Sequence, residues 1–480
     1  MSQRGKSMLA IAVACASVLA LASPVVDNVT MSQDADSGEV TIGYDLTGAP
    51  AIITVDIQTN GVSIGGEYLK KMHGDFATVV QGDGHHEIVW LPDVPWADAA
   101  DAAAFNLRAE VSAFATDNPP DILVADLQVQ GAVSYYQNVE LLPGGLMENP
   151  EYRTTKLVMK RVHAKNVTWT RGCTSEQGYS KSTNFDSEGA HDVTLTNDYY
   201  LAVFEFTQGQ AKTIGDTTTA VFQGPMRPCD NVSYNNLRGS SADSYYPLPP
   251  SGSSLLGKLR TRTGLNIDIP SESQWELAAR GGSASGHGDG LWGDGTAITG
   301  TDTCPNLAPQ ARYKANAYTT NADQSVTTNG TADVGSYKPN DLGFYDMSGN
   351  VRERCLDYWQ GANDYNGKVT PSNGKNVKAL AGAVNVYWGE LKAGMTEADR
   401  GKYIHEACTK EGHANANASL PYYYVGDPFP GGDRVWRGGC WCDSAKNCRP
   451  RVRNGWNPAS ATSGATSTGD IGFRVALTME

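Results

Sequence analysis

Three kinds of side chain in this sequence are placed to do chemistry: clustered thiols, imidazoles, and carboxylates around a tight turn. Cys440, Cys442 and Cys448 lie close together near the C-terminal end. Thiols so placed hold a soft metal ion, carry redox chemistry or close disulfides. His405, Cys408 and His413 form a second group, with Glu406 between them. On a helix His405 and Cys408 share a face, as zinc ligands can, but a fourth ligand is not evident and Cys408 suits a disulfide equally. The third group is Asp346-Met347-Ser348-Gly349-Asn350-Val351-Arg352-Glu353. Here two carboxylates bracket a Ser-Gly-Asn turn whose glycine can take a positive φ and turn carbonyls inward. Hard cations take oxygens of this kind. The alternative is a turn capped by Asp346, with Glu353 in a salt bridge to Arg352 or Arg354. His85-His86 are adjacent, so on a strand they point to opposite faces and do not converge on one ion. The sequence has no HExxH, no phosphate loop and no Gly-x-Ser-x-Gly elbow.

The elements that must position these groups differ along the chain. Residues 23–140 read as an all-β module. Val40, Ile42, Tyr44 and Leu46 alternate with polar or small residues, Ile53, Val55 and Ile57 repeat the pattern, and Phe105, Leu107, Ala109, Val111 and Ala113 extend it. Period two over such lengths means half-buried strands. Gly48-Ala49-Pro50, Asn60-Gly61 and Gly82-Asp83-Gly84 supply the turns. An immunoglobulin-like or fibronectin-like sandwich is expected. A linker at 141–150 carries Pro143, Gly144, Gly145 and Pro150. Beyond it, residues 151–480 are rich in aromatic, Gly and Asn residues and poor in periodicity. Two helices stand out there. Ser271 to Arg280 has Ser271 as cap, Gln274 completing a capping box and Gly281-Gly282 as the stop. The other, Thr396 to Lys410, falls inside an insertion of about 362–430.

Four ordered stretches resemble the formylglycine-generating (sulfatase-modifying factor) family. Tyr199 to Thr207 resembles its early strand. Ile269-Pro270-Ser271-Glu272-Ser273-Gln274-Trp275-Glu276-Leu277-Ala278-Ala279-Arg280-Gly281-Gly282, followed by Leu291-Trp292-Gly293-Asp294, resembles its helix and the segment after it. Val334-Gly335-Ser336-Tyr337 and Pro339 to Glu353 resemble its central motif. Arg437-Gly438-Gly439-Cys440-Trp441, Cys448-Arg449 and Ile471-Gly472-Phe473-Arg474-Val475 resemble its C-terminal motif. The resemblance covers about two-thirds of the chain and is more specific for fold than for chemistry. It implies an α+β, C-type-lectin-like domain of low regular secondary structure. It also implies that Trp275, Glu276 and Phe473 are core or network residues.

For function, the resemblance implies calcium held by the side chains of Asp346 and Glu353 and the carbonyls of Gly349 and Val351, with a second calcium beginning at Asn306-Leu307. It implies copper between two thiols for the family's oxidases, and, for an enzyme, oxidation of a cysteine or serine in a partner such as a sulfatase to formylglycine. Counting from Gly438-Gly439, Cys448 matches the second thiol, while Asp443 falls at the first and Cys442 stands one position early. Arg352-Glu353-Arg354 replaces the Trp-Glu-Trp of the oxidases. Three arrangements therefore remain: a displaced catalytic pair of Cys442 and Cys448; disulfides joining Cys440 or Cys442 to Cys448, Cys355 or Cys408; or another metal or redox role. The competing functions are an oxidase of a protein or peptide substrate and a lectin-like module binding a glycan or protein ligand. For a glycan, Leu420-Pro421-Tyr422-Tyr423-Tyr424, Trp436 and Trp441 could stack on sugars, though aromatic core packing uses the same residues.

Bulk properties narrow these options. The formal net charge of -14 gives no basic nucleic-acid footprint. An apolar content of 40% with 19% charged residues fits a folded chain. Arg4 and Lys6, the uncharged run Met8 to Ala20, and Ala20-Leu21-Ala22 read as an export signal over residues 1–22. The expected mature chain starts near Ser23, is secreted or periplasmic, and has no membrane span. Leaving out Cys15, eight cysteines remain, which in an exported chain favours disulfides.

Overall fold

The computed structural model describes residues 23–92, 106–172, 191–195, 197–217, 219–240, 249–282, 286–288, 290–320, 326–358, 434–456 and 469–479. The expected export signal, the Thr396–Lys410 helix, the His405/Cys408/His413 group, Leu420 to Tyr424, and Cys173 lie outside these residues. The chain divides into two compact units, the first comprising residues up to 63 and 71–119, the second 64–70 and 120 onward.

The first unit consists of strands β1 (Val25–Gln33), β2 (Val40–Thr47), β3 (Ala51–Thr59), β4 (Val62–Ser63), β5 (Met72–Gly74), β6 (Val79–Val80), β7 (Gly84–Trp90) and β8 (Leu107–Ala115). One sheet runs β1-β2-β7-β5; in the other, β3 pairs with β4, β6 and β8. All pairs are antiparallel. Val40, Ile42, Tyr44, Leu46, Ile53, Val55, Ile57 and Val111 of the alternating runs are buried, Leu107, Ala109 and Ala113 are half-buried, and on β3 Ile52 and Thr54 are buried as well; Phe105 lies outside the described residues. His85 and His86 separate as a strand requires. His85 Nδ1 meets Asp45, and His86 bridges Asp75 and the Gly82 carbonyl while stacking on Tyr44.

The second unit holds β9 (Ile122–Asp126), β10 (Val133–Tyr136), β11 (Lys156–Val162), β12 (Thr168–Arg171), β13 (His191–Thr194), β14 (Tyr199–Ala202), α1 (Gln208–Thr213), α2 (Tyr234–Arg238), α3 (Leu255–Thr263), α4 (Glu272–Arg280), β15 (Tyr318–Thr320), β16 (Val326–Thr328), β17 (Arg352–Tyr358), β18 (Arg434–Arg437), β19 (Arg453–Trp456), β20 (Ile471–Gly472) and β21 (Ala476–Thr478). It is mostly sheet with few helices. The strands β9 and β10, which the sequence reading places with the N-terminal module, lie in this unit's central sheet, β10-β9-β11-β14-β21. β10 pairs with β9, and β9 in turn with β11 through Lys156–Asp126 to Lys160–Ile122.

Strand β14 shows why this sheet is the centre of the unit. Its four residues are all buried, but they face two ways. Tyr200 and Ala202 enter a cluster with Leu157, Met159, Leu256, Leu259 and Phe473. Tyr199 and Leu201 enter another with Trp169, Trp275, Ala278, Phe344 and Val435. Both faces are thus covered, α3 serving the first and α4 the second, and such a strand reads as a continuous apolar run rather than an alternating one.

Helix α4 forms as its local sequence dictates. Ser271 accepts from the Gln274 backbone N–H, Gln274 returns the bond to the Ser271 N–H, and Gly281 ends the helix at φ +62°. The Tyr199 hydroxyl donates to the Gln274 carbonyl at 2.6 Å and ties helix to sheet. A smaller sheet, β19-β18-β17-β20, carries the chemistry-bearing segments at its ends.

Candidate functional site

Helix α4 buries charge as well as apolar surface. Glu272 receives Arg453 at 2.5 and 2.8 Å and Arg437 at 3.2 Å, and it also pairs with Arg171. Glu276 receives Arg280 at 2.7 and 3.0 Å and pairs with Arg437. Burial would raise the Glu276 carboxyl, but Arg437, Arg280 and Arg171 outweigh it and hold the pKa down to about 2. Trp275, fully buried, donates its indole N–H to Glu353 at 2.6 Å. These residues brace the fold, as the sequence reading expected of Trp275 and Glu276.

The Asp346–Glu353 turn is built from left-handed residues, with Asp346 at φ +57°, Gly349 at +83° and Asn350 at +53°. Only glycine fits at 349: an added Cβ would stand 2.2 Å from the Arg312 carbonyl oxygen. Three backbone bonds fasten the turn to two other segments, around residues 438–441 and 470. Gly349 N–H donates to Gly438 O, Trp441 N–H to Asn350 O and Arg352 N–H to Asp470 O, at 2.8, 2.9 and 2.8 Å.

Asp346 is buried, and one of its oxygens accepts from the Gly335 N–H at 2.7 Å. The other, Oδ1, has no hydrogen-bond partner among the described residues. Glu353 pairs with neither Arg352 nor Arg354. Its two oxygens receive Arg474 at 2.7 Å each. Beside them is a carboxylate the sequence reading missed. Glu205, fully buried, accepts from Asn350 Nδ2 at 2.6 Å and from the Val351 N–H at 3.1 Å. Burial pushes the Glu205 carboxyl well up, and the charges of Asp346 and Glu353 push the same way. Asp346 is pushed up to about 6, mainly by burial and also by Glu353, against Arg474 and the Gly335 N–H. Three carboxylates thus face one guanidinium, and their full ionisation, which burial opposes, would leave an excess of two negative charges. That excess and the unpartnered Asp346 oxygen fit a hard divalent ion such as calcium. The expected ligand Glu353, however, already has both oxygens on Arg474. The signal for Glu205 was its place in the Tyr199–Thr207 motif.

At the other expected calcium position, the Asn306 carbonyl accepts from Gln310 Nε2 at 2.8 Å and its amide donates to Ala297 O. Leu307 is buried beside Trp292.

The thiols separate into two environments. Cys440 and Cys442 lie with Trp441, Ala317 and Phe222. Cys448 lies with Trp292, Cys304, Leu307, Tyr313 and Ala445. The sulfurs of Cys440 and Cys442 and a carboxylate oxygen of Asp470 are all within 4.8 Å of one another, whereas Cys448 is not in that set. Cys229, Cys304, Cys355, Cys440, Cys442 and Cys448 are free thiols, so the expected disulfides among the described cysteines are not formed here. Asp443, at the place of the family's first thiol, is an ion-pair residue. Arg352 bonds it at 2.9 and 3.1 Å, and it accepts from the Cys440 N–H at 3.0 Å. Arg352 also pairs with Asp470 and stacks 4.6 Å from the Trp436 ring. A carboxylate already held by arginine does not fit the thiol position of a copper(I) pair.

Trp436 and Trp441 are buried, and Trp441 donates its N–H to the Gly469 carbonyl at 3.0 Å. They pack in the domain and offer no open face for a sugar. No helix among the described residues is long and apolar enough to cross a membrane.

The model of the sulfatase-modifying factor enzyme 1-like domain matches residues 154–479. The chain is 26% identical over 212 residues to the chaperone protein LppX of Paenibacillus barcinonensis, covering 38% of this chain and 70% of that one. It is 33% identical over 95 residues to the formylglycine-generating enzyme of Thermomonospora curvata, covering 19% of this chain and 27% of the enzyme. A similar match to the Streptomyces coelicolor enzyme is 34% identical over 95 residues, covering 19% of this chain and 26% of that enzyme. The chain thus spans about a quarter of the length of either enzyme. Among solved structures, Treponema denticola variable protein 1 is similar at TM-score 0.40 and 19% identity, over 67% of this chain and 95% of that one. PvdO from Pseudomonas aeruginosa is similar at TM-score 0.38 and 21% identity, over 67% of this chain and 94% of that one.

Proposed function

Because the chain belongs to the sulfatase-modifying factor enzyme 1-like domain family, we propose that it is an exported, calcium-stabilised member with a C-type-lectin-like domain. In this reading the domain engages a protein or peptide partner outside the cytoplasm and does not run the copper-thiol oxidation. One observation carries it: Asp443, where the first thiol belongs, is bonded to Arg352 and to the Cys440 N–H, while Cys448 is buried beside Trp292. Moving a thiolate into place one residue early, from Cys442, would require the segment to slip, and a one-residue slip turns a side chain to the opposite face of an extended chain.

Export is supported by the charged, apolar and small-residue order of residues 1–22. Calcium is supported by the cluster of Glu205, Asp346 and Glu353, which when ionised would carry two charges beyond that of Arg474, and by the unpartnered Asp346 oxygen. A protein partner rests on the family, and the two antiparallel sheets of the first unit suit a β-sandwich spacer. An oxygen electrode tests the oxidase part of the proposal. Purified protein given copper(I) and a cysteine-containing peptide should consume oxygen no faster than the Cys448→Ser variant. Faster consumption that this substitution removes would overturn the reading.

A further inference from the structure

We propose that Cys440, Cys442 and Asp470 form a zinc site, distinct from the thiol pair the family resemblance implies. The three ligand atoms already lie within 4.8 Å of one another. Zinc–sulfur bonds of about 2.3 Å at a tetrahedral angle put sulfurs about 3.8 Å apart. Closing the sulfur pair therefore needs a contraction of about 1 Å at most, and each sulfur–carboxylate edge about 1.3 Å at most. Two soft thiolates with one hard carboxylate suit a borderline ion such as Zn2+. Copper(I) favours thiolates alone, and calcium favours oxygens alone.

The surroundings hold the two arms of this site in register. Trp441, between the two cysteines, donates to the carbonyl of Gly469, the residue before Asp470. Arg352 bonds Asp470 on one side and Asp443 on the other. Asp443 in turn accepts from the Cys440 N–H at 3.0 Å. Outer partners of this kind fix the orientation of the groups that bind the ion. The guanidinium also offsets part of the negative charge that two thiolates and two carboxylates would place there. Cys440 is fully buried, whereas Cys442 is partly exposed and gives the ion a way in. Three protein ligands leave a fourth position for water or a ligand bearing an anionic or soft donor. This is the composition of a catalytic rather than a closed structural zinc site. The inference does not depend on whether the oxidase is absent, because it is read from bound metal and not from aldehyde or oxygen.

The test uses the full mature chain, reduced and stripped of metal, titrated with Zn2+ and separately with Cd2+. The expected result is zinc bound at this site with two sulfurs at about 2.3 Å by X-ray absorption, and a thiolate-to-cadmium charge-transfer band that calcium cannot produce. Cys442→Ser, at the partly exposed position, should weaken binding at least about tenfold, as loss of a ligand or of its support does. Asp470→Asn should weaken it by a similar factor while both sulfurs remain. Cys448→Ser should leave it unchanged. The proposal is overturned if the folded, reduced protein takes up no zinc. It is also overturned if Cys442→Ser retains the band, or if Cys448→Ser removes it. A rapid Cys440–Cys442 disulfide that forms equally with and without zinc would likewise replace the metal site by a redox pair.

Discussion

Removing calcium should make the stability of this protein depend on pH in a direction opposite to that of ordinary acid denaturation. The perturbation is chelation, and its magnitude comes from Asp346. Its carboxyl, at 3.8 when unperturbed, is pushed up to about 6 in the fold, chiefly by burial. About two pH units at 1.36 kcal/mol each give about 3 kcal/mol. A folded pKa raised above the unfolded one gives stability that is complete below the unfolded value and lost as pH rises through the folded one. Chelated protein should therefore lose up to about 3 kcal/mol between pH about 4 and about 6. Calcium binds the ionised form, so a hundredfold excess over its dissociation constant should restore roughly 2.7 kcal/mol. Urea unfolding curves from pH 4 to 8, with chelator and with calcium, measure both effects. Asp346→Asn mimics the protonated acid and can still accept from the Gly335 N–H. It should remove the Asp346 share of the slope of the chelated curve and abolish the calcium response. Identical curves with and without calcium, or a calcium response that survives Asp346→Asn, would refute the reasoning. Glu276 supplies the contrasting limb: held down to about 2, it loses its contribution only as pH falls below about 4.5.

Two further substitutions probe helix α4. Glu272→Gln leaves Arg171, Arg437 and Arg453 short of a buried counter-charge and should cost about 3–5 kcal/mol in chemical unfolding. Ser271→Ala removes the capping bond to the Gln274 N–H and should cost about 1 kcal/mol by the same measurement.

What the sequence made legible was what neighbouring residues decide. Ser271, Gln274 and Gly281 settle both ends of α4 through bonds spanning three residues, so the helix was readable to its caps. The alternation of Val40 to Leu46 and of Ile53 to Ile57 marked strands β2 and β3, although β3 buries Ile52 and Thr54 on its other face as well. Strand β14 lacks alternation because both of its faces are covered, and its assignment came from the family motif instead.

The site was less legible because its partners are far apart in the chain. Arg352 stood out as a departure from the family, yet its role depends on Asp443 and Asp470, 91 and 118 residues away. Glu205 meets Asn350 across 145 residues, so no local pattern marks it as part of the acidic cluster. Counting along the chain gave Cys448 a place beside Cys442. Packing puts Cys448 with Trp292 and Cys304, while Cys440 joins Cys442 in the metal-competent set.

The most direct measurement of the central claim is aldehyde formation, followed by mass spectrometry, in a peptide containing Cys-x-Pro-x-Arg that is incubated with the purified protein, copper and oxygen. The geometry of Asp443 and Arg352 predicts no formylglycine above the level of a no-enzyme control. Aldehyde produced by the unaltered protein and lost in both Cys442→Ser and Cys448→Ser would contradict it, and would show that the displaced thiol pair assembles a working oxidase.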